Sequence, residues 1–192
     1  MKLNVARTLE DLRLVLLDPK CAGPETVYWV FGKATIDVSW ENMTIITPGL
    51  LGRELPKTYG HYHGTNIDEI YAEVSGEGIL LLQKKIEGDG TFVPNEVSEV
   101  LLIKVSHGEQ VTIRPQYGHS WSNTGPQPLI TYDNWKAGHS PSDYEVIKDL
   151  HGMAYYLTME GDKIVPFPNP NYRNLPEPLF LTVGEFNRRV SE

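Results

Sequence analysis

The sequence predicts a mainly β protein built from antiparallel strands. Short runs rich in β-branched and aromatic residues recur along most of the chain, and turn clusters such as Glu160-Gly161-Asp162 separate them. The 17 glycines and 14 prolines suit many turns better than long helices. This spacing is typical of an antiparallel barrel or sandwich and not of alternating strands and helices.

The N-terminal 20 residues predict a helical segment. Thr8 and Asp11 have the spacing of a capping box, and apolar residues follow at helical spacing until Asp18-Pro19. Residues 21–165 are then expected to form the β-barrel. The candidate strands are 27–31, 43–46, 69–74, 78–84, 99–105, 111–114, 129–135, 154–159 and 163–165.

The C-terminal residues 166–192 are expected to form an extended arm and a short helix. Five prolines in residues 166–178 argue against regular structure there. Thr182 and Glu185 have the spacing of a second capping box, so a helix is expected to begin at Thr182. Residues 1–192 are therefore predicted to be a single domain with short terminal helices.

Composition excludes several classes of partner. The formal charge of -8 argues against binding to nucleic acid or to an anionic membrane, because both need a basic surface. Cys21 is the single cysteine, so a reducing compartment fits. No apolar run reaches membrane-spanning length and no secretory signal is visible. The expected location is the cytoplasm.

A group of histidines and a glutamate predicts a metal site. His61 and His63 would point to the same face of a strand, and Glu69 begins the next strand candidate. His119 follows a turn far downstream. Three imidazoles and one carboxylate would leave open positions on one divalent Fe, Mn, Ni or Zn ion. The alternative is structural, because an isolated His-x-His pair is more often part of the fold or the surface.

The spacing of these residues resembles the two motifs of the cupin superfamily. The first motif corresponds to His61, His63, Glu69 and Gly76, and the second to Gly108, Pro115, His119 and Asn123. The gap of five residues between His63 and Glu69 is longer than the family pattern. The resemblance implies a single cupin-type antiparallel β-barrel or jelly roll that holds one divalent transition metal.

A narrower resemblance is carried by the stretches "PGLLGRELPKTYGHYH", "EIY" and "HSWSN". These are similar to the cupin-type glucose-6-phosphate isomerases of archaea and some bacteria, over about residues 24–145. The resemblance implies a homodimeric enzyme of glycolysis and gluconeogenesis. Its substrates would be the sugar phosphates glucose 6-phosphate and fructose 6-phosphate.

The resemblance also implies roles for individual residues. The implied metal ligands are His61, His63, Glu69 and His119. The implied phosphate-binding residues are Tyr28, Thr44, Thr58 and Gly60. Tyr71 would lie beside the sugar, His139 would face the substrate, and Tyr144 is a further substrate residue.

The alternation of side chains along a strand makes a separate prediction about which residues bind the phosphate. If His61 and His63 point inward, Lys57 and Tyr59 should share their face and Thr58 should not. Lys57 is therefore an additional candidate for balancing the phosphate charge. A bend at Pro56 or Gly60 would reconcile this parity with a role for Thr58.

The sequence does not decide between two mechanisms, and it also allows two other functions. Glu69 would act as the base for a cis-enediol route, whereas a hydride shift would need only polarised sugar oxygens. Tyr71 and His139 complete the catalytic candidates. One alternative function is a metal-dependent cupin oxygenase, and the other is a non-catalytic sugar-binding cupin.

Overall fold

A computed structural model describes residues 1–33, 39–88 and 91–191. Its described strands form two main sheets and one hairpin. The strands are β1 (Lys2–Thr8), β2 (Thr26–Gly32), β3 (Asn42–Ile46), β4 (Glu69–Ser75), β5 (Gly78–Gly88), β6 (Thr91–Val105), β7 (Gln110–Ile113), β8 (Tyr117–Asn123), β9 (Leu129–Asp133), β10 (Tyr155–Glu160), β11 (Lys163–Pro168) and β12 (Leu179–Thr182). The helices are α1 (Leu9–Leu12), α2 (Pro141–Asp149) and α3 (Val183–Ser191), with a 3-10 turn at Arg13–Val15.

The larger sheet has six strands in the order β1-β2-β3-β9-β4-β7. Tyr71 of β4 lies opposite Asp133 of β9, and Asp133 lies opposite Asn42 of β3. Opposite residues of antiparallel strands point to the same face. The ring of Tyr71 is 5.8 Å from that of His119 in β8, so this face points toward the second sheet.

The second sheet has four strands in the order β12-β6-β5-β8. Leu80 and Leu82 of β5 are fully buried and lie opposite Trp121 and His119 of β8. Apolar side chains from both sheets fill the space between them, and this burial is the main force that holds the sheets together. The functional residues of β4 and β8 face each other across that core.

The predicted mainly β, antiparallel fold is confirmed. The two sheets face each other as in a jelly roll, and no continuous ladder among the described strands closes them into a barrel. Each of the nine strand candidates overlaps a strand of the structure. Strands β1, β8 and β12 were not predicted.

The expectation of a helical segment over residues 1–20 is wrong for the first eight residues. Lys2–Thr8 forms β1, which pairs antiparallel with β2. The Thr8–Asp11 capping box is present, but α1 continues for only one turn before the 3-10 turn. Residues 2–8 precede the capping box and pair with β2, so the helical pattern applies only from Thr8 onward.

The C-terminal expectations are partly confirmed. Helix α3 begins directly after Thr182, whose hydroxyl and backbone N–H both contact the Glu185 carboxylate. The expectation of no regular structure from residue 166 is wrong at its start, because β11 continues through Pro166 to Pro168 opposite β10. Proline is tolerated there because a two-stranded hairpin leaves outward-facing groups unpaired. None of the described helices has the length and apolar character needed to cross a membrane.

Candidate metal centre

The segment that carries His61 and His63 is extended but is not a strand. It joins β8 of the second sheet only through isolated antiparallel bridges at Lys57–Ser122 and His61–His119, so the expected strand is wrong. Gly60 precedes it with a φ of +85°, a backbone conformation that favours glycine. This turn directs the chain across the open end of the core.

Three imidazoles and one carboxylate converge where β4, β8 and this segment meet. His63 Nε2 lies 2.8 Å from Glu69 Oε2, and His119 Nε2 lies 3.2 Å from the same oxygen. The rings of His61 and His119 have centroids 4.3 Å apart. One ligand atom from each of the four residues lies within 4.8 Å of the others.

Several buried atoms of this cluster lack a hydrogen-bond partner among the described residues. They are Nε2 of His61, Nδ1 of His63, Oε1 of Glu69 and both ring nitrogens of His119. Buried polar atoms in native proteins are almost always satisfied, so such a concentration needs an explanation. Neutral imidazole and carboxylate are suitable ligands for a divalent transition metal, and coordination would satisfy one such atom of each residue. The residues present fit such an ion.

The electrostatics favour the protonation states that metal binding requires. Burial, and after it the three neighbouring imidazoles, lower the pKa of His61 well below its usual range. Burial alone would raise the pKa of Glu69, but the imidazoles of His119 and His63 outweigh it and lower that pKa to about 2. A neutral His61 and an ionised Glu69 are the forms that coordinate metals.

A cavity of about 430 Å³ opens beside this cluster. Of the residues predicted from the sequence, those that line it are Tyr28, Thr58, Gly60, His61, Tyr71, His119, His139 and Tyr144. The volume falls within the range of pockets that hold small molecules. The structure therefore brings most of the predicted substrate residues together next to the predicted metal ligands.

Tyr144 lies in helix α2 and His139 lies directly before the helix cap, and both line the cavity. Ser140 caps the helix in a capping box with Asp143, and Pro141 follows the cap. The backbone carbonyl of Asp143 accepts a hydrogen bond from the N–H of Tyr62, between the two histidines of the His-x-His segment. The ring of Tyr144 consequently lies 5.4 Å from that of His61, and the His139 ring lies 4.3 Å from His61.

Two predicted phosphate residues do not line the cavity. Lys57 is buried, and its ammonium lies 2.5 Å from Glu54 and donates to the Val15 carbonyl at 2.7 Å. This placement gives no support to a role for Lys57 in balancing phosphate charge, because its own charge is neutralised inside the protein. Thr44 is buried beside Val30 of β2 without reaching the cavity.

The alternation of side chains along a strand predicted that Thr58 and Tyr59 point to opposite faces, but both residues line the cavity. The turn at Gly60 breaks the alternation, as the bend considered from the sequence would require. The Thr58 hydroxyl accepts a hydrogen bond from the Trp121 N–H at 3.0 Å, which anchors this segment to β8.

Sequence reasoning gave no role to several residues of the cavity wall, among them Arg7, Asn42 and Trp135. Trp135 stacks on the His63 ring with centroids 3.7 Å apart, and it shields that ligand from solvent. No motif in the sequence marks Arg7 or Asn42. Their positions depend on the pairing of β1, β2 and β3, which residue spacing does not reveal.

Three imidazoles and a carboxylate between two facing sheets, antiparallel except for the β12–β6 pair, define a mainly β protein with a candidate metal centre. The family model "Glucose-6-phosphate isomerase (GPI)" matches residues 34–173. The chain belongs to the glucose-6-phosphate isomerase family.

Curated relatives agree with this membership. The glucose-6-phosphate isomerase of Thermococcus onnurineus is 33% identical over 133 residues, which cover 68% of this chain and 62% of that protein. The glucose-6-phosphate isomerase of Thermococcus litoralis is 34% identical over 134 residues, with the same two coverages of 68% and 62%. The match thus spans about three fifths of the length of these relatives.

Among solved structures, the chain is similar to the cupin domain of Drosophila melanogaster CENP-C. The TM-score is 0.40 at 9% identity, covering 59% of this chain and 71% of that chain. It is also similar to the capsular polysaccharide assembling protein CapF from Staphylococcus aureus, with a TM-score of 0.41 at 22% identity, covering 64% of this chain and 30% of that chain.

Proposed function

We propose that this protein is a metal-dependent aldose–ketose isomerase that interconverts glucose 6-phosphate and fructose 6-phosphate. The observation that carries the proposal is the buried His61, His63, Glu69 and His119 cluster at one side of a cavity of about 430 Å³. Family membership and the names of the curated relatives support the choice of substrate.

The four clustered residues would hold one divalent Fe, Mn, Ni or Zn ion. When bound, the ion would polarise the sugar oxygens at C1 and C2, as both a cis-enediol and a hydride-shift route require. Glu69 is the carboxylate nearest to the three imidazoles, so it would be the base in an enediol route.

Tyr71 and His139 would handle the sugar hydroxyls. Burial, with the Glu69 carboxylate next in effect, raises the pKa of Tyr71 well above its usual value, so this phenol keeps its proton and donates a hydrogen bond. Burial lowers the pKa of His139 to about 4, so its ring is neutral at pH 7 and offers both a donor and an acceptor. Both groups line the cavity.

The phosphate would bind away from the metal ligands, near Tyr28, Thr58, Gly60 and Tyr144. These residues line the cavity. The Tyr28 hydroxyl lies 3.4 Å from the Tyr59 backbone N–H, which helps to fix its orientation. Neutral hydroxyl groups and backbone N–H groups would orient the phosphate by hydrogen bonds, but they would not neutralise its negative charge.

A direct test follows glucose 6-phosphate and oxygen together. Metal-loaded protein should convert glucose 6-phosphate into fructose 6-phosphate, as followed by NMR, without consuming oxygen. Formation of no ketose, combined with oxygen uptake on organic substrates, would favour the cupin oxygenase. Ligand binding without turnover would favour a non-catalytic sugar-binding cupin.

A homodimer is part of the proposal. The outer face of the six-stranded sheet carries an apolar cluster made of Phe31, Trp40, Met43, Ile45, Val74, Ile130 and Tyr132. An apolar sheet face of this kind is typical of protein interfaces. Light scattering should give twice the chain mass of 21.7 kDa, and Ile45→Glu should give a monomer.

A cytoplasmic role in glycolysis and gluconeogenesis completes the proposal. Glucose 6-phosphate and fructose 6-phosphate, the proposed substrates, are interconverted in both of these pathways. Cys21 is buried as a free thiol, which is compatible with a reducing compartment.

A further inference from the structure

An arginine enters the cavity from a strand that the family match does not include. Arg7 belongs to β1, whereas the match begins at residue 34. Arg7 lies opposite Tyr28 of β2 in the antiparallel register. Opposite residues point to the same face, and both side chains line the cavity.

Arg7 forms no ion pair within 4.0 Å among the described residues, although its charge acts at longer range on the Asp11 carboxylate and its side chain hydrogen-bonds Tyr28. Its Nε is buried without a hydrogen-bond partner. The guanidinium carbon instead lies 6.0 Å from the ring centroid of Tyr59. An unpaired cation in a partly buried place is unfavourable, which is notable in a chain with 25 acidic and 17 basic residues. A bound oxyanion would satisfy it.

Arg7 is separated from the metal ligands by two aromatic rings. The Tyr59 ring, which Arg7 contacts, lies 5.8 Å from the Tyr144 ring. The Tyr144 ring lies 5.4 Å from His61. In an open-chain hexose 6-phosphate, the reacting carbons C1 and C2 are at one end and the phosphate is at the other. Arg7 therefore lies apart from the metal ligands, in a cavity whose wall also carries the charged residues Glu41 and Lys136.

We infer that Arg7 binds the phosphate group and selects phosphorylated over unphosphorylated sugars. The inference rests on the proposed function for the identity of the sugar, but the contact itself requires only an oxyanion. A guanidinium can donate two parallel hydrogen bonds to phosphate oxygens and stays charged at every relevant pH. Arg7 supplies the charge that the neutral groups of Tyr28 and Thr58 lack.

Binding of glucose 6-phosphate to manganese-loaded protein tests this inference. Titration calorimetry would compare wild type with Arg7→Gln, Arg7→Lys and the control Lys2→Gln, which removes one charge from the same strand outside the cavity. Arg7→Gln should weaken binding about 10- to 100-fold, as expected for loss of a charge-assisted hydrogen bond. Arg7→Lys should weaken it less, and Lys2→Gln should leave it unchanged.

Two further binding measurements, with inorganic phosphate and with glucose, distinguish loss of the Arg7 charge from a general change in the shape of the cavity. Phosphate should compete with the substrate in wild type and lose this ability in Arg7→Gln. Binding of unphosphorylated glucose should be equal in both proteins. In turnover, Arg7→Gln should raise KM for glucose 6-phosphate and leave kcat close to that of wild type. If Arg7→Gln does not fold, Arg7→Lys carries the test, because the bidentate geometry is lost with the charge retained.

Unchanged affinity for both glucose 6-phosphate and phosphate in the folded variants would overturn the inference. The proposed function would fail separately. Wild type without isomerase turnover that still binds phosphate through Arg7 would refute the isomerase and keep the anion site. Wild type with turnover, and an Arg7→Gln variant of equal KM, would keep the isomerase and refute the role of Arg7.

Discussion

The backbones of His61 and His119 are hydrogen-bonded to each other in both directions. The His61 N–H donates to the His119 carbonyl at 3.2 Å, and the His119 N–H donates to the His61 carbonyl at 2.9 Å. Such a reciprocal pair places both side chains on the same face of an antiparallel pair. The backbone itself, without any ion, brings two of the proposed metal ligands together.

Removal of metal should therefore leave the protein folded. Chelator-treated protein is expected to keep its far-UV circular dichroism and to unfold cooperatively. Metal at a hundred times its dissociation constant should add about 2.7 kcal/mol of stability. The melting temperature should rise accordingly in wild type and should not rise in His61→Ala. Loss of the fold on chelation would contradict a preformed site and favour a purely structural metal.

The buried pair of Lys57 and Glu54 should act on stability and not on substrate. Lys57→Met leaves a buried carboxylate unpaired and should lower the free energy of unfolding by about 3–5 kcal/mol. Adding Glu54→Gln should recover much of this loss, because the amide oxygen can still accept from the Leu17 N–H. Denaturant unfolding measures both variants. Normal stability with weakened sugar-phosphate binding would restore the phosphate role that the sequence predicted for Lys57.

Gly60 should tolerate alanine less well than Gly49 does. Both have positive φ, +85° and +104°, so both variants pay the backbone strain of about 1 kcal/mol. A Cβ at Gly60 would also lie 2.7 Å from Met153 Sδ, whereas one at Gly49 would have no atom within 4 Å. Overpacking should bring the loss for Gly60→Ala to about 2–4 kcal/mol and weaken metal binding at the adjacent His61. Equal unfolding free energies for the two variants would refute this.

Asp133 should make the metal-free protein less stable as the pH rises. Burial, and after it the Glu69 carboxylate, raise the pKa of Asp133 from 3.8 to about 7. Because the folded state binds the proton more tightly than the unfolded chain, stability is full below pH 3.8 and is lost as the pH rises through about 7. In Asp133→Asn the amide oxygen can still accept from the Trp135 N–H, so the variant should show a flatter pH dependence over that window. Urea midpoints across the window check this, and an unchanged slope would contradict it.

Residue patterns predicted the parts of the fold that local chemistry decides. The capping boxes at Thr8 and Thr182 follow from short-range hydrogen bonds, and both are present. Helix α2 carried the same kind of signal, since Ser140-Pro141-Ser142-Asp143 is a capping box with proline at its first position. Tyr144 lines the cavity from this helix.

The remaining errors concern long-range pairing. Residues 2–8 form a strand because β2 is available as a partner, and no local feature of the segment specifies that partner. Lys57 shares the expected parity with Tyr59, but Glu54 and the Val15 carbonyl draw its ammonium into the core. The position of Arg7 in the cavity could not be predicted, because it also depends on the pairing of β1 with β2. The metal cluster was predictable because the motif residues His61, His63, Glu69 and His119 follow a recognisable spacing.

The most direct test of the central claim measures metal content and turnover on the same samples. Wild type and His61→Ala would be stripped by a chelator, reloaded with Mn or Fe, and assayed for conversion of fructose 6-phosphate to glucose 6-phosphate. We predict that wild type regains one equivalent of metal and its turnover, whereas His61→Ala regains neither. Wild type that binds one equivalent of metal without turnover, or His61→Ala with restored turnover, would contradict the account.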